Sequence, residues 1–207
     1  MNKKGKNKQL KVMLLVVWIL FIVVLGLFGY YFYTKKDDVK SDLDFGTKFS
    51  YQTNANQDIN ALIITYLNAL ASSDQDILKE CVTDPSMFDD MSKIQSQSKV
   101  VTSYSNINCY SIDGLDDSST LVYTVANITI AGVESSPLDM IGPFYVVKEG
   151  NHYLINNEKL GDDVNKFISK TSKKKDIQEL FETVKKDQDT KADADPALKE
   201  FMNRLGN

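Results

Sequence analysis

Histidine and cysteine, which supply most metal ligands and many catalytic groups, are scarce in this sequence. Its 207 residues include one histidine, His152, and two cysteines. One histidine cannot build a histidine-rich metal site or complete a catalytic triad, and its place directly after a predicted turn is typical of a surface residue. The acidic pairs at residues 89–90, 116–117 and 162–163 also lack the spacing of a calcium-binding loop. The sequence therefore predicts no metal, no cofactor and no catalytic residue.

Positive charge is sparse outside the N-terminus. The first 34 residues hold five of the 24 basic residues and none of the 28 acidic ones, so the remainder carries a net charge of −9. An acidic domain repels phosphate backbones, which excludes nucleic acid as an expected partner. The same charge argues against tight electrostatic binding to anionic lipids or wall polymers.

Charged residues are missing altogether from residues 12–33, and most of this run is apolar. As a helix, these 22 residues span ~33 Å, enough to cross a hydrocarbon core of roughly 30 Å. The lysines precede the run, so the positive-inside rule places residues 1–11 in the cytoplasm. A cleaved signal peptide is the alternative, but its apolar core is shorter and ends in a small-x-small site, which is missing here. We expect a single-pass protein of the cell membrane, with the lipid bilayer as a partner and residues 34–56 as an extracytoplasmic polar tether.

An apolar stripe with helical spacing opens the folded domain, which we place at residues 57–158. The stripe consists of Ile59, Leu62, Ile63, Tyr66, Leu67 and Leu70. A polar Ser-Ser-Asp sequence ends this helix, and Ser73 is expected to cap a second short helix. Asp84 and Pro85 are typical of the cap and first turn of a third helix.

The periodicity changes from helical to alternating at about residue 98. Strands are predicted at residues 99–112, 120–131, 143–149 and 152–156. Gly150 and Asn151 form a tight turn between the last two strands. Helices followed by consecutive strands predict an α+β domain, in which the helices cover one face of a curved, four-stranded antiparallel sheet.

Residues 159–207 return to helical spacing and form a C-terminal helical extension. One apolar stripe runs from Ile177 to Val184. A last stripe, in a helix capped by Asp195, consists of Leu198, Phe201, Met202 and Leu205. Two interpretations stay open: both helices pack on the outer face of the domain, or the last stripe is a surface for a protein partner or a second copy of the chain.

Two segments resemble the nuclear transport factor 2-like superfamily. They are the helical run INALIITYLNALASSDQDILKECV and the paired strands GPFYVVKEGNHYLIN. The resemblance covers residues 57–158, about half of the chain, and implies a cone in which a curved sheet wraps around a long helix. The sequence also looks like the outer domains of small membrane-anchored proteins of Gram-positive bacteria. The superfamily contains ketosteroid isomerase-like enzymes and binding modules without activity, so the fold does not select a function.

In the isomerase-like members, an aspartate and tyrosines act inside the cone. The candidate pocket-lining residues by that resemblance are Tyr66, Tyr104, Tyr110, Tyr123 and Tyr145. No aspartate occupies a clearly inward position, because those we considered fall at predicted caps and turns. Cys81 and Cys109 are the two cysteines; a bridge between them would close a loop of about 29 residues, and two buried free thiols are the alternative.

The exclusions above favour a membrane-anchored, extracytoplasmic binding or scaffolding module without catalytic activity. Its expected partner is another protein, and self-association stays open. The alternative is a small-molecule-binding or isomerase-like enzyme that uses the cone pocket. A deep pocket with a buried carboxylate would favour that alternative, whereas a pocket filled by tyrosine and leucine side chains would favour the scaffold.

Overall fold

The computed structural model describes residues 49–205. The predicted cytoplasmic tail, the predicted membrane span at residues 12–33 and most of the tether lie outside these residues. Within the described part of the chain, no helix is both long and apolar enough to cross a membrane. Of the described residues, 49–198 belong to one compact unit, and 199–205 belong to another.

Helices flank a run of strands in the order of elements along the chain. The strands are β1 (Gln52–Thr53), β2 (Val101–Asp113), β3 (Ser119–Ile130), β4 (Leu138–Glu149) and β5 (His152–Ile155). The helices are α1 (Gln57–Ser72), α2 (Gln75–Glu80), α3 (Ser92–Gln97), α4 (Asp162–Ser172), α5 (Lys175–Ala194) and α6 (Pro196–Leu205), with a 3₁₀ turn at Pro85–Phe88.

Polar side chains fix the helix ends on the N-terminal side of the sheet. The Asn56 side chain accepts hydrogen bonds from the backbone N–H groups of Asp58 and Ile59 and so caps α1. Asp74 caps α2 through the Ile77 N–H, so the prediction that Ser73 is this cap is wrong. Ser73 instead ends α1 with a φ of 55°, the left-handed conformation that terminates many helices.

The five strands form one antiparallel sheet in sequence order, β1-β2-β3-β4-β5. The prediction of four strands is therefore wrong. The additional strand, β1, lies in the predicted tether, where Gln52 and Thr53 pair with Ser111 and Tyr110 of β2. Two polar residues carry no alternating pattern, so their pairing is determined by the edge of β2 and not by local propensity.

Both faces of the sheet are covered, contrary to the expectation that helices pack on one face. One face carries a cluster, which we call the first-face cluster, that joins α1, α2 and the 3₁₀ turn to the strands through Ile59, Ile63, Leu67, Leu78, Phe88, Cys109, Val122, Val146 and Ile155. The other carries the second-face cluster, which joins the strands to α4 and α5 through Ile112, Leu121, Tyr123, Val125, Met140, Tyr145, Ile168, Ile177 and Val184. The C-terminal extension up to Val184 is therefore part of the core.

Carboxylates attach the polar half of α5 to the connection between β3 and β4. Asp187 accepts the Leu138 N–H at 2.7 Å, and Lys191 donates to the Ser136 carbonyl at 2.8 Å. Asp195 accepts from both the N–H and the hydroxyl of Ser135, and these bonds hold its carboxyl pKa at about 2. This stretch lacks an apolar stripe, so its attachment is made by hydrogen bonds that hydrophobic patterning does not detect.

The start of the described chain is attached to the second face. The Ser50 hydroxyl donates to the Asp176 carboxylate at 2.7 Å, at the beginning of α5. Tyr51 packs edge-to-face on Tyr110 with ring centroids 5.0 Å apart. Residues 50–53 therefore form a short strap between α5 and the edge of the sheet.

Replacing a buried α5 side chain tests whether the second face contributes to folding. Ile177 is 0% exposed, so Ile177→Ala should lower the free energy of unfolding by about 2–4 kcal/mol, the usual cost of such a cavity. Chemical denaturation followed by circular dichroism measures the change. Ile64 of α1 is 39% exposed, so Ile64→Ala is the matched control and should cost well under half as much. Equal costs would contradict the assignment of α5 to the core.

Candidate functional site

An open groove of about 640 Å³ lies on the first-face side of the compact unit. One wall comes from α1 and α2, and the other comes from the turn and outer edge of the β4–β5 hairpin. The lining residues are Asp58, Ala61, Leu62, Thr65, Ile77, Glu80, Cys81, Glu149, Asn151, His152, Tyr153 and Leu154. The volume lies within the range of ligand-binding clefts.

The groove combines an apolar interior with an acidic rim. Leu62, Ile77 and Leu154 are half-buried, whereas Asp58, Glu80 and Glu149 are exposed. None of the described lining residues is a lysine or an arginine. Lys148 is close to the groove, with its ammonium 5.7 Å from the centre of the Tyr153 ring. The rim therefore attracts cations.

Strand β5 presents unused backbone groups along this groove. The Ile155 N–H donates to the Cys81 carbonyl, and the Ile155 carbonyl accepts the Thr83 N–H, so Ile155 bonds on the outer side of the sheet. Backbone groups in an antiparallel strand alternate in direction, so Tyr153, two residues earlier, also directs its N–H and carbonyl outward. The segment around Cys81 covers the edge at Ile155 and leaves it open beside Tyr153.

The five candidate tyrosines do not share a pocket, and none of them lines the groove. Tyr66 and Tyr104 pack against the first-face cluster. Tyr110, Tyr123 and Tyr145 lie on the second face, where the hydroxyls of Tyr123 and Tyr145 bond to Ser172 and Ser119 respectively. The tyrosines lie on two faces because side chains alternate along a strand. The odd-numbered residues of β3 and their partners on β2 and β4 point away from α1. The groove uses Tyr153 instead.

Asp139 lies on the inner side of β4, contrary to the expectation that no acid occupies such a position. It pairs with Ala126 of β3, two residues from Ile128, which pairs with Tyr104 of β2. Burial raises the pKa of the Asp139 carboxyl to about 6, against a single opposing hydrogen bond from the Met140 N–H. Burial also raises the pKa of Tyr104 to about 12, with smaller contributions from Asp139 and Tyr66.

The sequence contains a signal for Asp139 that the strand prediction missed. We predicted β4 to begin at residue 143, but it begins at Leu138. In the pattern LDMIG, Leu138 and Met140 alternate with Asp139 and Ile141, as expected for a strand covered on both faces. The preceding Pro137 favoured a loop and concealed this alternation.

Cys81 and Cys109 are buried, free thiols in the first-face cluster. The structure therefore contains two free thiols, the second of the two alternatives, and no disulfide bond between them. Burial raises the pKa of both thiols, with Glu80 adding to the effect at Cys81. A raised pKa keeps a thiol protonated and unreactive, the reverse of what a catalytic cysteine needs.

The predicted partner surface on α6 is divided between the two compact units. Leu198 is 1% exposed and belongs with the main unit. Phe201, Met202 and Leu205 are half-buried and belong to the other unit. Leu198 is therefore a core residue, whereas a partner role for the other three stays a prediction.

No protein-family model, curated protein or solved structure matches this chain. The resemblance to the nuclear transport factor 2-like superfamily therefore stays an expectation from sequence. Within residues 49–205, no group of histidine, cysteine and acidic side chains could hold a metal ion. The described residues therefore offer the groove and the region around Asp139 as candidate sites.

Asp139→Asn should stabilise the protein at neutral pH. A carboxyl pKa raised from 3.8 to about 6 means that folding opposes ionisation, so the penalty is fully present above pH ~6 and absent below pH ~4. We expect a gain of up to ~3 kcal/mol at pH 7.5 and no gain at pH 3.5, measured by chemical denaturation. Asp113→Asn, which removes an exposed strand carboxylate, is the control. A gain that does not depend on pH would contradict this account.

The thiols provide a second test of the core. Under denaturing, non-reducing conditions a thiol reagent should titrate two free cysteines per chain, as the structure contains. In the native protein both should react at least ~100-fold more slowly than a free thiol, because burial suppresses thiolate formation and access. Failure to titrate any thiol after unfolding would show that the bridge forms.

Proposed function

We propose that this domain is a non-catalytic binding module whose groove holds an extended, lysine- or arginine-bearing segment of another protein. The observation that supports this most directly is the groove itself. Three carboxylates surround an apolar interior, and no described lining residue is basic. The location outside the cell membrane stays a prediction of the sequence.

The backbone of β5 supports an extended form for the bound segment. An incoming strand could pair with the outward N–H and carbonyl of Tyr153, as peptides do when they add to an exposed sheet edge. The side chains of such a strand alternate between two directions. One set would then face Leu62, Ile77 and Leu154, and the other would face the acidic rim.

Charge complementarity selects the composition of the segment. Asp58 is on α1, Glu80 ends α2 and Glu149 precedes the hairpin turn, so the acids come from both walls of the groove. A bound segment with alternating apolar and basic residues would match the interior and the rim together. Rim charges of this kind mainly determine partner choice and association rate.

The chemistry of the groove argues against a reaction there. Cys81 and His152 both line it, and these residue types form the catalytic pair of many hydrolases. Burial raises the pKa of the Cys81 thiol, however, and Glu80 raises it further. An activated nucleophile requires the opposite shift, so we interpret Cys81 as a core residue at the base of the groove.

Neutralising the rim should abolish binding of a basic strand. The probe is a fluorescent peptide of alternating lysine and valine, with an alternating glutamate–valine peptide as its counterpart. Fluorescence anisotropy should show the full chain, in neutral detergent, binding the first and not the second. The variant Asp58→Asn/Glu80→Gln/Glu149→Gln should weaken binding by about tenfold or more, which corresponds to ~1.4 kcal/mol.

A matched variant controls for net charge. Asp113→Asn/Asp162→Asn/Glu182→Gln also removes three exposed carboxylates, but none of them lines the groove, so it should leave the affinity nearly unchanged. Equal weakening by the two triple variants would reduce the effect to overall charge and contradict the proposal. Binding of both peptides with equal affinity would contradict it as well.

A further inference from the structure

A second group of polar side chains lies on the first face of the sheet, outside the groove. It comprises Asp139 of β4, Tyr104 of β2 and Tyr66 of α1, which we call the Asp139 cluster. The register places Asp139 and Tyr104 on the same face of the sheet, on either side of β3. Tyr104 interacts electrostatically with both Asp139 and Tyr66. Ala126 is the residue of β3 that pairs with Asp139, and it is fully buried.

The polar atoms of this cluster have few hydrogen-bond partners among the described residues. Within residues 49–205, the Asp139 carboxyl accepts one bond, from the Met140 N–H, and no lysine or arginine acts on it. The hydroxyls of Tyr66 and Tyr104 make no hydrogen bond to any described residue. Among the described residues, the side-chain polar atoms that are enclosed without a hydrogen bond belong to Asn60, Ser111 and Thr124, not to this cluster. They are accordingly accessible and available to a ligand.

Aromatic rings adjoin these polar atoms. Tyr66 meets Phe144 edge-to-face with ring centroids 5.7 Å apart, and it meets Phe88 in the same manner at 6.5 Å. Aromatic faces attract organic cations, most strongly where water is largely excluded. Tyr104, which interacts with both Asp139 and Tyr66, connects the carboxylate to these rings. A carboxylate without a neighbouring cation and with tyrosine rings near it has the composition of an ammonium-binding site.

We propose that the Asp139 cluster binds a small organic cation, a primary or quaternary ammonium group carrying an apolar substituent. The Asp139 carboxylate supplies the compensating charge, and the Tyr104 and Tyr66 hydroxyls accept hydrogen bonds from a primary ammonium. The rings around Tyr66 contact the apolar substituent. This site is separate from the groove, none of whose lining residues belongs to it, and it is a binding site without a chemical step.

Binding should depend on pH through Asp139 alone. The facing groups are Tyr104 from β2 and Tyr66 from α1, and Cys81 lies beyond Tyr66 at the end of α2. Burial raises the pKa of both tyrosines to about 12, so they stay protonated across the physiological range. An ammonium ligand requires ionised Asp139, whose pKa is about 6 in the free protein. Affinity should therefore fall as the pH drops from 7.5 to 5.0, by roughly tenfold.

Butylammonium, tetramethylammonium and neutral 1-butanol serve as probes. Ligand-observed NMR with the full chain in neutral detergent should show binding of both cations at pH 7.5 and no binding of butanol. Asp139→Asn, which replaces the carboxylate with an isosteric neutral amide, should lower the affinity by about tenfold or more. Tyr104→Phe keeps the ring and should weaken butylammonium more than tetramethylammonium, because only the primary ammonium donates hydrogen bonds.

Two controls separate this site from the rest of the surface. Asp113→Asn removes an exposed strand carboxylate and should not change the affinity. The groove variant Asp58→Asn/Glu80→Gln/Glu149→Gln should bind the cations as the natural sequence does. If the groove variant no longer binds the cations while Asp139→Asn still binds them, the cations bind in the groove. In that case the Asp139 proposal fails and the proposed function stands. The proposal would also be overturned if butanol bound with the same affinity as butylammonium, or if the affinity for the cations did not depend on pH.

Discussion

The rest of the structure depends on strand β3 being buried on both faces. Between Leu121 and Ala126 every residue is buried, with Val122 in the first-face cluster and Leu121, Tyr123 and Val125 in the second. Hydrophobic burial on two sides fixes the register, because a shift of one residue would exchange the two sets. The same register places Asp139 opposite Ala126 and Tyr104 opposite Ile128, so that both side chains lie on the first face, on either side of β3. The same strand therefore supports two helical layers and positions the candidate cation site.

Local patterns in the sequence predicted the elements that bury one continuous stripe. Ile59, Ile63 and Leu67 are all buried in α1, as their spacing indicated. The turn at Gly150 and Asn151 also joins its strands as predicted, with Gly150 at a φ of 60° that favours glycine. Such features depend on neighbours within a few residues, so one sequence is sufficient to find them.

Local sequence patterns did not predict the features that depend on distant parts of the chain. Strand β1 exists because β2 offers an edge to Gln52 and Thr53, and the polar half of α5 is held by backbone groups of a remote loop. The groove arises where two helices approach a hairpin that lies about 70 residues further along the chain. Asp139 was overlooked because its strand begins five residues earlier than the alternating pattern suggested. In each case the missing information was a tertiary pairing and not a residue preference.

The strap at residues 50–53 fixes the side of the sheet on which the described chain begins. Its contacts with Asp176 and Tyr110 place the point where the chain enters the unit on the second-face side. The groove and the Asp139 cluster both lie on the first-face side. The start of the described chain and the two proposed sites thus lie on opposite faces of one sheet. A ligand at either proposed site would not compete with residues 49–51 for space, and force applied to the chain at its entry would act on β1 and α5 before it reached either proposed site.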